Sequence, residues 1–188
     1  METSLDLEAL KREVLEARAA MLTALRETSP AQATLKPDPT RWSVRDIAEH
    51  ITVAEGSMRR LVRGTIERLR AGKPVHQGVH EAKGLKIQEV MARYFPQRAI
   101  APEVVQPKSD DPLPLLIQRY EALGESLEAD FALYAEVDLE GLVYPHPFGV
   151  VLDMSQWLQL MAAHARNHAR QVAEVRAALD RSQGDAPA

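Results

Sequence analysis

Two histidines four residues apart, His164 and His168, lie in the run Trp157-Leu-Gln-Leu-Met-Ala-Ala-His-Ala-Arg-Asn-His-Ala-Arg-Gln-Val172. On a helix that spacing is about 40° of rotation and ~6 Å of rise, so both imidazoles can reach one ion. Trp157, Met161, Val172, Val175 and Leu179 share their stripe, whereas Arg166, Arg170, Glu174 and Arg176 fall largely elsewhere. Both histidines are therefore expected to face a core. His50 repeats the pattern far away in sequence: it follows Ile47 and precedes Ala54, with Met58, Leu61 and Thr65 continuing the face. An imidazole buried without a partner leaves its nitrogens unsatisfied at about 1–3 kcal/mol each. Three inward histidines on two helices thus predict a divalent metal with His50, His164 and His168 as nitrogen ligands.

Three neutral imidazoles hold zinc at ~2.0–2.1 Å and leave a coordination position open. Zinc and nickel head the expectation, and iron(II) and manganese also accept imidazole donors. Through the open position such an ion activates water at neutral pH or keeps a bound thiol deprotonated. The chain has no cysteine, so a sulfur nucleophile has to arrive with a ligand, and disulfides and iron–sulfur ligation are excluded. Gln171, three residues after His168, is placed to hydrogen-bond a ligand or bound water. His146, between Pro145 and Pro147 just before the last helix, is a second candidate for acid, base or ligand.

The remaining polar residues read more plainly. Asp46 is expected to cap a helix and Glu49 to be solvated. Glu55 either approaches the cavity as a general base or sits at a helix boundary. His76 and His80 are expected to be exposed on a connection, with a lid as the other role. Arg59, Arg60, Arg63, Arg68 and Arg70 are expected to form a solvated face, because Glu67 interrupts them and aromatic residues are few.

These side chains need long helices to position them. The spacing of Leu7, Leu10, Val14, Ala17, Met21 and Leu25 predicts a helix over 5–26, widened by Leu15 and Leu22 and stopped at Ser29-Pro30. Ser43 caps a second helix that ends near Arg70, before Gly72 and Pro74, with Trp42 stapled to Ile47. An irregular connection follows from Ala71 to Asp111, with a short helix over 85–95. A third long helix begins near Asp111-Pro112, with Asp111 as the cap, and runs through Phe131. Gly141, Pro145, Pro147 and Gly149 enforce a loop with a short extended piece over 142–144. Asp153 caps the last helix, with Gln156 reciprocating, and that helix runs from Met154 to about Arg181.

The result is an all-α fold, a four-helix bundle with a long crossover connection. The 188 residues, 45% of them hydrophobic, suit one domain over 1–181, with 182–188 as a flexible tail. The net charge of −4 gives no general drive toward nucleic acid or anionic membrane. The acidic start lacks the pattern of a secretion signal, and no run approaches a membrane span, so a cytoplasmic location is expected.

The Trp42-Ser43 approach to His50, the irregular middle, the Pro145-His146-Pro147-Phe148-Gly149 segment and Trp157 ahead of His164-Ala-Arg-Asn-His168-Ala-Arg-Gln171 together resemble the DinB/YfiT-like superfamily, over most of the chain. The resemblance implies a four-helix bundle, usually a homodimer, with a metal on three histidines that correspond to His50, His164 and His168. Members commonly carry an arginine immediately before the last histidine. Here Asn167 stands there and Arg166 is one place earlier. The family's activities are dispersed among thiol-dependent transfer with a low-molecular-weight thiol and metal-dependent hydrolysis. The chain is therefore expected to be a metal-dependent enzyme acting on a small-molecule substrate by thiol transfer or metal-water hydrolysis. The alternative is a noncatalytic ligand-binding or stress-response dimer whose metal is structural or absent.

Overall fold

Each long helix starts where its first backbone N–H groups find an acceptor or a proline. In a computed structural model that describes residues 5–96 and 100–184, α1 spans Leu7–Arg26 and begins at Asp6, whose carboxylate accepts from the Ala9 N–H at 2.9 Å. Leu5 thus lies outside the helix expected to include it. Helix α2 spans Val44–Arg70, and Ser43 and Asp46 exchange reciprocal hydrogen bonds across its first turn. Helix α3 is short, Ile87–Tyr94, and a 3-10 turn follows at Glu103–Val105.

Helix α4 spans Leu113–Tyr134 and departs from expectation at its start. Extended Pro112 (φ −70°, ψ 149°) takes the cap position, while Asp111 pairs instead with Arg119 at 2.5 Å. Helix α5 spans Met154–Gly184, three residues beyond the expected end at Arg181. The remainder of the expected tail, 185–188, lies outside the described residues. At the start of α5 the Gln156 N–H donates to Asp153 at 2.8 Å and the Asp153 N–H to Gln156 at 3.2 Å.

Before α5 the chain makes a small hairpin. Strands β1 (Val143–Pro145) and β2 (Val151–Asp153) pair antiparallel, with Tyr144 opposite Leu152. At its tip the His146 N–H donates to the Val150 carbonyl at 2.7 Å, and Gly149 takes φ 87°, a conformation that glycine adopts without a Cβ penalty. Only part of this was expected, as a short extended piece over 142–144.

The four long helices form a bundle in which α1 packs against α4 and α5, and α2 packs against the same two. The consecutive helices α1 and α2 are therefore diagonal, and the crossover carries the chain from α2 to its neighbour α4. The core between them holds Val14, Met21, Leu25, Ile47, Ile51, Ile66, Leu116, Leu127, Leu158 and Met161, each fully or almost fully buried. At about 1.5–3 kcal/mol for each large side chain removed from water, this packing fixes α2 against α5. No described helix is long and apolar enough to cross a membrane.

Candidate metal centre

His50 lies in the second turn of α2, and His164 and His168 lie on successive turns of α5, the helix that α2 packs against. The three rings converge. His50 Nε2 is 3.2 Å from His164 Nε2, and His168 Nε2 is 3.0 Å from the same atom. The rings stand nearly edge-on to one another, at 68–88°, with centroids 4.4–5.2 Å apart. Trp42 covers the outer side of His50 at 4.8 Å, a role distinct from the expected staple.

Neighbouring oxygens set two of the three tautomers. His50 Nδ1 is 2.8 Å from the Val105 carbonyl, and His168 Nδ1 is 2.7 Å from Gln171 Oε1. Each Nδ1 therefore carries the proton and each Nε2 keeps its lone pair. Both lone pairs face His164 Nε2, which could donate one proton to only one of them. A shared cation would satisfy all three nitrogens. Bond lengths of ~2.0–2.1 Å give nitrogen–nitrogen edges of roughly 2.8–3.0 Å at right angles and roughly 3.3–3.4 Å at tetrahedral angles, which bracket the two observed separations. All three donor nitrogens lie within 4.8 Å of one another, so the set can hold a four- or six-coordinate metal ion once His50 and His168 close on it. His164 Nδ1 is buried with no hydrogen-bond partner among the described residues, so this ring's tautomer is the one left unset.

Electrostatics favour the same use. Burial lowers the His50 pKa against the opposing pull of the Val105 carbonyl. Burial, followed by the charges of His168, His50 and His146, holds His164 well below the usual histidine range. Burial and the nearby His50 push His168 down to about 4, although Gln171 pulls the other way. All three are neutral at pH 7, the form that ligates metal.

His146 stands apart from the triad. Its ring stacks on Phe95 at 4.6 Å and 18°, lies against Trp157 at 5.2 Å, and accepts the Phe148 N–H through Nδ1 at 3.2 Å. Burial pushes its pKa down to about 4. It is a neutral imidazole in an aromatic cluster, close enough to His164 that protonating it would disfavour a charge there.

Several expectations need correction. Glu49 is buried: Oε1 accepts the Lys108 and Ser109 N–H groups at 2.8 Å each, which ties the crossover to α2 beside His50. Glu55 has no exposed surface and neither approaches the histidines as a base nor marks a helix end. It pairs with buried Arg18 of α1 and accepts the Tyr120 hydroxyl at 2.8 Å. Both Glu55 and Arg18 occupy stripe positions, Glu55 four residues after Ile51 and Arg18 four after Val14. That placement was the available signal.

His80, expected on an exposed connection, has its side chain buried between the Val151 carbonyl, 2.9 Å from Nδ1, and Asp153, 3.3 Å from Nε2. Arg59, expected on a solvated face, is largely covered where it pairs with buried Asp130 of α4 at 2.6 Å, and Arg63, still 43% exposed, pairs with the same carboxylate at 2.5 Å. His76 is exposed. Arg166 and Asn167 point outward, Arg166 pairing with Glu13 at 2.7 Å and Asn167 accepting from Arg170 at 2.9 Å. Val105, whose carbonyl orients His50, carries no local sequence signal for that role.

Known proteins resemble this chain in sequence or in fold. The chain is 25% identical over 168 residues to the uncharacterized protein YuaE of Bacillus subtilis (strain 168), covering 89% of this chain and 97% of YuaE. Its fold matches that of YfiT from Bacillus subtilis, described as a probable metal-dependent hydrolase with an unusual four-helix bundle topology. That match has a TM-score of 0.63 at 12% identity, over 96% of this chain and 92% of YfiT. At such low identity the likeness is one of fold. The sequence pattern of the DinB superfamily matches residues 13–172, which include all three converging histidines. This chain belongs to the DinB superfamily.

Proposed function

We propose that the protein is a divalent-metal-dependent hydrolase of a small molecule, with His50, His164 and His168 as the ligands. The convergence of three neutral imidazole nitrogens with no carboxylate among them is the observation that carries this reading. When bound, an ion held by three neutral ligands keeps its positive charge and supplies Lewis acidity and an activated water. The chain's own part is positioning. The Val105 carbonyl and Gln171 hold the His50 and His168 rings with Nε2 inward, and such hydrogen bonds also raise the basicity of the donor nitrogen. Trp42 shields one side of His50 from water. His146, neutral and held by Phe95 and Phe148, is the candidate for orienting a substrate near His164.

Zinc and nickel suit this donor set first, and a homodimer in the cytoplasm belongs to the same proposal. The test is hydrolysis of p-nitrophenyl esters and phosphoesters by metal-loaded protein, with glutathione transfer to chlorodinitrobenzene run in parallel. Hydrolysis abolished by a chelator, restored by added metal and absent from His164→Ala supports the reading. Thiol transfer with the same metal dependence, without hydrolysis, would replace it with the transferase reading. Hydrolysis surviving in His164→Ala would overturn it.

A further inference from the structure

A cavity lies along the far half of α2. It has a volume of about 660 Å³, and Gly64 lies about four turns, or ~21 Å, along the helix from His50. That volume is in the range that holds a small organic ligand. One wall is a single face of α2, where Arg60, Gly64 and Arg68 recur at intervals of four residues. The opposite wall comes from His76 and from Val143 and Tyr144 at β1, with Lys73 and Val75 between.

Two independent features point to an occupant. The first is charge. Arg60 bonds only Ser57, Arg68 bonds only the Pro74 carbonyl, and Lys73 has no carboxylate partner among the described residues. Glu67, the one acid lining the cavity, is engaged by Arg63 at 2.7 Å. Neighbouring cations on the same helix are neutralised, Arg59 and Arg63 by Asp130 and Arg70 by Glu136. Three cations without acidic partners among the described residues therefore line the cavity, with the Arg60 guanidinium turned back toward Ser57 and Gly56.

The second feature is Gly64. A glycine inside a helix costs about 0.8–1 kcal/mol relative to alanine, and no backbone torsion or neighbour demands one here. A Cβ built at Gly64 meets nothing within 4 Å. The missing side chain leaves a notch in the cavity wall, midway between the two arginines, where a flat group can lie against the helix backbone. Leu61, Val75, Val143 and the half-exposed Tyr144 ring provide apolar surface around it.

We infer that this cavity binds a small organic anion, a flat apolar body bearing an oxyanion group, with the body at Gly64 and the anion held by Arg60, Arg68 and Lys73. It is separate from the histidine centre and does not depend on metal.

The test is a fluorescence titration of the full chain with anilinonaphthalene sulfonate and with uncharged N-phenylnaphthylamine. The sulfonate is expected to bind about tenfold or more tightly than the amine, since a charge-assisted hydrogen bond is worth roughly that factor. Gly64→Leu fills the notch while raising helix propensity, so the protein stays folded and loses sulfonate affinity about tenfold. Arg60→Glu with Arg68→Glu loses at least as much, and His164→Ala keeps wild-type affinity. Naphthoate and naphthyl phosphate both displace the sulfonate, and the stronger of the two identifies carboxylate or phosphate as the preferred anion. Equal affinity of the charged and uncharged probes, unchanged binding in Gly64→Leu, or displacement by neither anion would overturn the assignment.

Discussion

Replacing Gln171 with leucine tests how the metal centre is held together without touching a ligand. The side-chain oxygen of Gln171 sits 2.7 Å from His168 Nδ1 and fixes the proton on that nitrogen, which leaves Nε2 free 3.0 Å from His164 Nε2. Leucine removes the acceptor, so the His168 ring can take the other tautomer or rotate out of register. Loss of such an orienting partner costs metal affinity about 10–100-fold, equivalent to ~1.4–2.7 kcal/mol. Gln171 is only half-buried, one turn beyond His168, so the fold should hold and melting of the metal-free protein should change little. The assay is competition for zinc against a chromogenic chelator, with wild type, Gln171→Leu and Gln171→Glu in parallel. Gln171→Glu keeps an acceptor and is expected to match or exceed wild type. If Gln171→Leu binds zinc as tightly as wild type, the proposed orienting role of this hydrogen bond is wrong.

Two further outcomes follow from buried groups. His146 and His168 have pKa values pushed down to about 4, against about 6.5 in the unfolded chain, so the unfolded state takes up protons first. Stability of the metal-free protein is fully present above about pH 6.5 and falls as pH drops toward 4. Urea midpoints measured across that interval check this, and a flat profile would contradict it. Arg18→Met leaves the fully buried Glu55 carboxylate with the Tyr120 hydroxyl alone and should cost about 3–5 kcal/mol, with Glu55→Gln in the same background recovering part of it. Chemical denaturation of the two variants decides this, and a loss under about 1 kcal/mol would contradict the ion pair's role.

The helices were legible because each buries one stripe at the 3.6-residue period, and the same stripes that carry Ile47 and Met161 carry His50, His164 and His168 inward. Asp6, Ser43 and Asp153 show how far local capping chemistry defines where a helix begins. Contacts that the irregular crossover makes with α2 were beyond that kind of reading. Val105 reaches His50, and Lys108 and Ser109 reach Glu49, through tertiary placement alone. Glu49 and His80 were misread for a related reason: a charged or polar side chain looks exposed until its distant partner is known. The β1–β2 hairpin, with three residues to a strand, is too short for an alternating pattern to register.

Metal analysis of untagged protein tests the three-histidine centre most directly. Wild-type protein should purify with, or take up, close to one equivalent of a divalent ion per chain and melt higher when loaded, while His50→Ala should retain none and gain no thermal stability from added metal. A full equivalent retained by His50→Ala, or no metal uptake and no metal-dependent rise in melting temperature in wild type, would contradict the assignment of His50, His164 and His168 as one metal site.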